Sequence, residues 1–186
     1  MNLSPETHVA AGRFAEANGR SAEATQQYER ALKLDPQHAP ALRRLGILQT
    51  KAGDWDAARG TWNRYVTATN GSAEAYAALG VMLERSGDPM GAEGAFLKGI
   101  DADPSDKDCR VSYGLLLARQ GRMEQGAEQL AEALPMAAVL YNLGAVHEQQ
   151  NRPAEAEACY REALSIDPTM TQASQRLKKL GVATIE

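Results

Sequence analysis

The stretch Leu140–Pro168, LYNLGAVHEQQNRPAEAEACYREALSIDP, decides the fold, because its pattern recurs along almost the whole chain. An apolar residue and a glycine come first, a turn follows, and small and bulky residues then stand at helical spacing before a final Asp-Pro. The glycine column recurs at spacings of 34, 34, 34 and 30 residues, as Gly12, Gly46, Gly80, Gly114 and Gly144. Self-similarity at one period indicates a repeat array in which each copy packs on its neighbours.

Three further columns of the same copies keep this register. The turn column holds Gly19, Gly53, Gly87, Gly121 and Asn151. The small column holds Ala24, Ala58, Ala92, Gly126 and Ala156, and the bulky column holds Tyr28, Trp62, Phe96, Leu130 and Tyr160. Each copy therefore predicts two helices joined by a short turn. The glycine inside the first helix predicts that the second helix comes too close there for a side chain, with the bulky residue packing over the gap.

The period and these residues resemble the tetratricopeptide repeat over about residues 5–170. The resemblance implies an all-α fold, a right-handed superhelical solenoid of antiparallel helix pairs, in a single domain that comprises residues 1–186. The predicted copies and a final capping helix span residues 5–38, 39–72, 73–106, 107–136, 137–170 and 171–181. Proteins of this kind usually hold a peptide or another protein, but the fold names no partner.

Copy four departs from the pattern of the other copies. Four residues are missing after Ala133, and Pro135 stands near the point where the next helix must begin. We therefore expect a shorter loop ahead of copy five and a local change of superhelical pitch at that junction.

Composition and charge narrow the fold and the classes of partner. Hydrophobic residues make up 44% of the chain but aromatic residues only 5%, which favours helix packing over sheets. The net charge of −4 and the pI near 5.5 give no attraction to phosphate backbones, so no nucleic acid partner is expected. Because there is no apolar run of about 18 residues and no leader pattern, we expect no membrane insertion and a cytoplasmic location.

No set of residues has the spacing of a catalytic or metal site. His8, His38 and His147 fall in different copies, and none is spaced with another histidine, cysteine or acid as metal ligands are. Cys109 and Cys159 lie far apart, which is typical of small packing residues in a reducing compartment. We therefore expect no enzyme activity, no metal and no cofactor.

The helical wheel predicts which side of the first helices carries a binding surface. In copy two, Leu42, Leu45 and Gln49 fall on one side and face the partner helix. Residues about 100° further round face a concave groove in proteins that resemble this one. Applied to every copy, this rule predicts a peptide-binding groove formed by Arg13, Arg43, Ile47, Val81, Val111, Leu115 and Tyr141. An apolar strip that faces solvent is typical of a binding surface.

Two recognition modes of the resembled family have only partial counterparts here. The first is a carboxylate clamp, in which lysine, arginine and asparagine of the first three copies grip an acidic C-terminal tail. The corresponding positions in this chain are Val9, Arg13, Arg44, Glu74 and Ala78. That set lacks the lysine and asparagine of the clamp, so a role in binding chaperone tails is not expected. The second mode, an asparagine ladder, is matched only by Asn142.

These observations favour a non-catalytic scaffold that binds a protein or peptide partner in its concave groove. Apolar anchors of the partner would pack on the apolar middle of the groove, while Arg13 and Arg43 would orient its acidic groups. Two alternatives stay open. In the first alternative, the chain is a self-associating module that builds a homo-oligomer. In the second, it is the repeat arm of a larger multidomain protein or enzyme.

Overall fold

The computed structural model describes residues 4–181, and the regular structure within that range is α-helical. Eleven helices are described: α1 (Pro5–Ala17), α2 (Ser21–Leu34), α3 (Ala39–Ala52), α4 (Trp55–Ala68), α5 (Ala73–Arg85), α6 (Pro89–Ala102), α7 (Lys107–Arg119), α8 (Met123–Ala131), α9 (Met136–Gln149), α10 (Pro153–Ile166) and α11 (Thr171–Lys179). The odd-numbered helices from α1 to α9 are the first helices of the five copies, and the even-numbered ones are the second helices. The predicted all-α array of helix pairs is confirmed.

Local sequence signals set where the helices begin and end. Ser4 caps α1, because its hydroxyl accepts from the Thr7 backbone N–H at 3.3 Å and Pro5 occupies the first helical position. Asp88 caps α6 in the same way, accepting from the Gly91 N–H at 2.9 Å. In copy five, Asn151 adopts the left-handed conformation that glycine supplies elsewhere in the turn column, with φ of 57°.

The glycines of the first helices lie where the second helix of the same pair makes its closest approach. A Cβ atom built on any of the five would lie 2.5–2.8 Å from an atom of that second helix. At Gly80 the atom met is Phe96 Cε1, at 2.5 Å. At Gly114 one of the two nearest atoms is the backbone oxygen of Gly126, at 2.8 Å. The predicted close approach, with a residue of the bulky column over each of the five gaps, is confirmed.

The chain divides into two compact units between Pro104 and Ser105. Unit 1 contains α1 to α6, and its core includes the buried bulky residues Tyr28, Trp62 and Phe96. Unit 2 contains α7 to α11. The organisation of residues 1–186 as one domain stays a prediction.

Unit 2 is held by two apolar clusters. The first, around the α8–α9 junction, contains Ala118, Leu130, Val139, Leu143 and Val146. The second holds the last helix in place, because Ala173 and Leu177 of α11 are buried against Ala156 and Tyr160 of α10. A polar helix with one buried apolar edge suits the predicted role of α11 as a cap.

The expectation of a shorter loop before copy five is wrong. Residues 132–135 connect α8 to α9, and this loop is as long as the four-residue loops 35–38 and 69–72. The deletion instead shortens the second helix of copy four, because α8 has 9 residues, whereas α2, α4, α6 and α10 each have 14. Pro135 holds the N-cap position of α9, which fixes the start of that helix close to its predicted place.

Candidate functional site

Four of the predicted groove residues lie on the first helices of unit 1. The Arg13 side chain is exposed, Ile47 is half-buried, and Val81 is 39% exposed on α5. Arg43 is also exposed, but its Nε donates to Glu74 Oε1 at 2.7 Å, which ties α3 to α5. Arg43 therefore already has an acidic partner in its own chain, whereas Arg13 forms no ion pair with any of residues 4–181.

An open cavity of about 420 Å³ lies between the C-terminal ends of α1 and α3 and the start of α2. Its lining residues are Arg13, Glu16, Ala17, Ser21, Arg44, Leu48 and Lys51. Arg44 Nη1 lies 3.2 Å from Glu16 Oε2, so one of the three cations is paired within the cavity. Glu16 Oε1 is buried without a hydrogen-bond partner. Three cations around one carboxylate leave an excess of positive charge, which suits an acidic group on a ligand.

The three predicted groove residues of unit 2 are half-buried. Val111 and Leu115 pack against the first apolar cluster of this unit, so part of their surface belongs to the core. The Tyr141 ring lies against the Tyr160 ring, with centroids 5.7 Å apart and planes at 43°. These three residues therefore support the fold of unit 2 as well as lining its surface. The assembly of all seven predicted residues into one groove stays a prediction.

A polar cluster around Glu148 joins the last three helices of unit 2. The Tyr160 hydroxyl donates to Glu148 Oε2 at 2.9 Å, and Arg176 Nη1 donates to Glu148 Oε1 at 3.1 Å. Lys179 Nζ is 3.8 Å from the same oxygen. A hydrogen bond with Tyr141, followed by the Glu148 charge, raises the pKa of Arg176. Burial, followed by the Glu148 carboxylate, raises the pKa of Tyr160. The cluster holds α11 by charge-assisted bonds in addition to apolar contact.

The same three residue types occupy the same columns in unit 1. The counterparts of Glu148, Tyr160 and Arg176, each 132 residues earlier, are Glu16, Tyr28 and Arg44. Sequence reasoning missed this triad, although its constant spacing was available as a signal. In unit 1 the Tyr28 hydroxyl is buried without a hydrogen-bond partner. Burial, with the Glu16 carboxylate nearby, raises the pKa of Tyr28 to about 12.

The histidines and cysteines occupy structural positions. His8 Nδ1 is 2.8 Å from Gln27 Oε1, and His38 Nδ1 accepts from a backbone N–H at the start of α3. His147 is buried in α9, and burial lowers its pKa. Burial raises the pKa of the Cys159 thiol, which favours the unreactive protonated form. Within residues 4–181 no group of three or more histidine, cysteine or acidic side chains could hold a metal ion.

The helices are also short in relation to a lipid bilayer. None of those formed by residues 4–181 has the length and apolar character needed to cross a membrane.

The chain matches family models along most of its length. Three models described as tetratricopeptide repeat match residues 8–81, 78–138 and 137–170. No curated protein matches the chain in sequence.

Many solved structures have a similar fold, and three of them show the range of sequence identity and TM-score. TTC0263 from Thermus thermophilus is 24% identical, with 95% of this chain and 98% of that chain covered and a TM-score of 0.65. MamA from Desulfovibrio magneticus, from residue 41 to its end, is 16% identical, with 91% and 98% covered and a TM-score of 0.70. YrrB, described as a TPR protein with an unusual peptide-binding site, is 19% identical, with 92% and 91% covered and a TM-score of 0.63.

Identities this low show the fold alone, but the fold and the family models agree. The repeated glycine approach, the helix pairs and the matches that together cover residues 8–170 all describe one architecture. That architecture is a general scaffold for protein interactions. The chain belongs to the tetratricopeptide repeat family.

Proposed function

We propose that this protein is a non-catalytic scaffold that binds a protein or peptide partner on the surface of its first helices. The observation that carries the proposal is the cationic cavity of unit 1, which is lined by three cations, Arg13, Arg44 and Lys51, and by one acid, Glu16. An acidic group of a partner entering this cavity gains charge-assisted hydrogen bonds from Arg13, which forms no ion pair within residues 4–181. The similar fold of YrrB, which has a peptide-binding site, supports the class of function.

Apolar side chains of the same partner would pack on Ile47 and Val81. Val81 leaves an apolar side chain in solvent on a first helix, and burying such area is the usual source of binding free energy. In unit 2 the corresponding surface is Tyr141 with the exposed parts of Val111 and Leu115. Arg43 plays a smaller part, because an incoming acid would have to displace Glu74 from it.

Selection of peptides from a random phage-displayed library tests this function even though the partner is unidentified. Selected peptides are expected to carry an acidic residue near apolar residues. Their affinity, measured by fluorescence anisotropy, should fall about tenfold or more for Arg13→Glu and for Val81→Glu, the equivalent of about 1.4 kcal/mol each. Met90→Glu is the matched control, since Met90 is 85% exposed on the second helix α6. Equal affinity for all three variants would contradict the proposal.

Self-association is a second candidate, favoured by the apolar surface of α1. Phe14 is 66% exposed and Ala11 is exposed, whereas Leu45, the counterpart of Ala11 in copy two, is buried. The capping helix of another copy could cover this surface only by leaving its own place, because Ala173 and Leu177 are buried in their own chain. Light scattering as a function of concentration separates the candidates. If the unmodified chain stays a monomer at high concentration, self-association is excluded. If it forms oligomers that Phe14→Glu does not disrupt, self-association through α1 is excluded.

A third candidate is that the chain is the repeat arm of a larger multidomain protein or enzyme. The reading frame on both sides of the encoding segment decides this, and an adjoining catalytic domain would support it.

A further inference from the structure

The cationic cavity of unit 1 carries positive charge that its lining residues do not neutralise. Three of those residues are cations and one, Glu16, is an acid. Arg44 is the cation that pairs with Glu16, at 3.2 Å. Arg13 and Lys51 are exposed and form no ion pair with any of residues 4–181. The cavity therefore offers two unpaired cations to a ligand.

The start of α2 adds hydrogen-bond donors to the same cavity. Ser21 is the first residue of this 14-residue helix, and it lines the cavity. Arg20 holds the N-cap position and makes no side-chain hydrogen bond to the first turn. The N–H groups of a first turn have no acceptor within their own helix, and they carry a partial positive charge that favours anions. The Ser21 hydroxyl is a further donor.

This combination of residues does not recur at the other junctions of the array. The position of Arg13 is apolar in the four later copies, where it holds Ile47, Val81, Leu115 and Ala145. The position of Ser21 holds a larger residue or proline in those copies, namely Trp55, Pro89, Met123 and Pro153. The repeat pattern therefore does not require a basic cavity with a small residue at its wall. A role in binding explains why copy one has both.

We propose that the cationic cavity binds the phosphoryl group of a phosphoserine or phosphothreonine in a partner peptide. This inference rests on the proposed function, because it names the acidic group that enters the cavity. A phosphorylated side chain carries about −1.5 to −2 charge at pH 7 and three acceptor oxygens. That charge matches the two unpaired cations, whereas a carboxylate would neutralise only one of them.

The two unpaired cations suit different parts of a phosphoryl group. The planar guanidinium of Arg13 can donate two parallel hydrogen bonds to two of its oxygens, and the Lys51 ammonium supplies a compact positive charge. The donors at the start of α2 are available to the remaining oxygen. A nucleic acid also presents phosphate groups, but the net charge of −4 disfavours a continuous phosphate backbone. A single phosphoryl group on a peptide fits the cavity better.

Matched arrays of random synthetic peptides test the choice of ligand on the whole chain. The central residue is phosphoserine, O-sulfoserine, glutamate or serine, and the tightest sequence is then measured in all four forms by fluorescence anisotropy. O-Sulfoserine is the sharpest comparison, because it has the shape of phosphoserine but only one negative charge. The phosphoserine form should bind about tenfold or more tightly than each of the others.

The results separate this inference from the proposed function. Equal affinity of the phosphoserine and glutamate forms would overturn the inference but leave an acidic peptide as the ligand. Tighter binding of a single-stranded RNA than of the phosphoserine peptide would also overturn it. No saturable binding of any peptide form would contradict both the inference and the proposed function.

Variants of the cavity test where the phosphoryl group binds. Arg13→Gln and Lys51→Gln should each lower the ratio of phosphoserine to serine affinity about tenfold. Ser21→Trp should abolish the preference by filling the cavity, and copy two already has Trp55 at this position. The matched control is Arg85→Gln, at the position of Lys51 in the next copy, where the side chain is also exposed. Circular dichroism checks that every variant is folded. An equal loss of preference in Arg85→Gln, or an unchanged preference in the three cavity variants, overturns the proposed site.

Discussion

The Tyr160 hydroxyl donates to Glu148 Oε2 at 2.9 Å, whereas the equivalent hydroxyl of Tyr28 in copy one is buried without a partner. Both tyrosines stand over the glycine of the preceding helix, so their rings fill the same packing position. Their hydroxyl groups differ in geometry. The Tyr160 hydroxyl meets the acid of its first helix at hydrogen-bond distance, whereas the Tyr28 hydroxyl is near enough to Glu16 for that carboxylate to help raise its pKa but does not reach hydrogen-bond geometry. Residues in the same column of the repeat can therefore contribute differently to the stability of the fold.

Removing the two hydroxyl groups should have unequal effects. Tyr160→Phe loses a hydrogen bond to a carboxylate and should lower the free energy of unfolding by about 1–2 kcal/mol. Tyr28→Phe removes a buried hydroxyl that has no partner, so it should change stability by no more than about 0.5 kcal/mol or raise it. Urea unfolding followed by circular dichroism measures both. Equal losses in the two variants would contradict the difference seen between the two sites.

Neutralising Glu148 should loosen the last helix. Glu148→Gln keeps the shape of the side chain but loses the charge that pairs with Arg176 and Lys179. Because both cations are partly exposed, the expected loss is about 1 kcal/mol or less. Hydrogen exchange should be faster in α11, and about 1 M salt should speed exchange there in the unmodified chain but not in the variant.

The control for this effect is Glu157→Gln, which removes an acid paired with Arg161 within α10. Its exchange in α11 should match that of the unmodified chain. Faster exchange in both variants would mean that general charge, and not the Glu148 cluster, governs the docking of α11.

Filling the gap at Gly80 should force α5 and α6 apart. A Cβ there lies 2.5 Å from Phe96 Cε1, so Gly80→Ala should lower the free energy of unfolding by about 1–3 kcal/mol and Gly80→Leu by more. Gly94→Ala, in a helix position with open space, should instead raise stability by about 0.5–1 kcal/mol. Thermal unfolding of the three variants checks the prediction. If Gly80→Ala instead raises the free energy of unfolding, α5 and α6 can move apart without a loss of stability, and the prediction is wrong.

Stability should fall in mild acid because of His147. Burial is the main cause that lowers the pKa of this side chain from its ordinary 6.5, so the unfolded chain takes up a proton that the folded chain resists. The contribution of neutral His147 to the free energy of unfolding is fully present above pH 6.5. It is lost as the pH falls from 6.5 through the lowered pKa of His147. His147→Leu should flatten this part of the curve of unfolding free energy against pH. An unchanged slope would exclude His147 as the source.

The helix pairs and their close approaches were predictable, because they follow from columns that recur in every copy. The glycine column alone requires a second helix near each of those positions, and the structure has one. The fate of the four residues missing after Ala133 was not predictable from the period. A deletion can shorten a loop or a helix, and the choice depends on packing around Leu130 and Val139 that the sequence pattern does not specify.

The candidate sites were less predictable than the fold. A helical wheel finds which residues share a face, but it cannot show that Arg43 is paired with Glu74 or that Leu115 is half-buried against the core. The cationic cavity brings together Arg13, Ser21 and Lys51 from three helices, and such meetings depend on how helix ends converge. Orphaned atoms such as Gln49 Oε1 become visible only when every neighbour has been placed.

Hydrogen exchange of the protein with and without a selected peptide tests the proposed binding surface most directly. Exchange should slow on binding in the first helices α1, α3 and α5, centred on the segments that carry Arg13, Ile47 and Val81. Arg13→Glu should abolish that protection at the same peptide concentration. Protection confined to α2 and α4, or protection that survives Arg13→Glu and Val81→Glu, would contradict binding on the first helices.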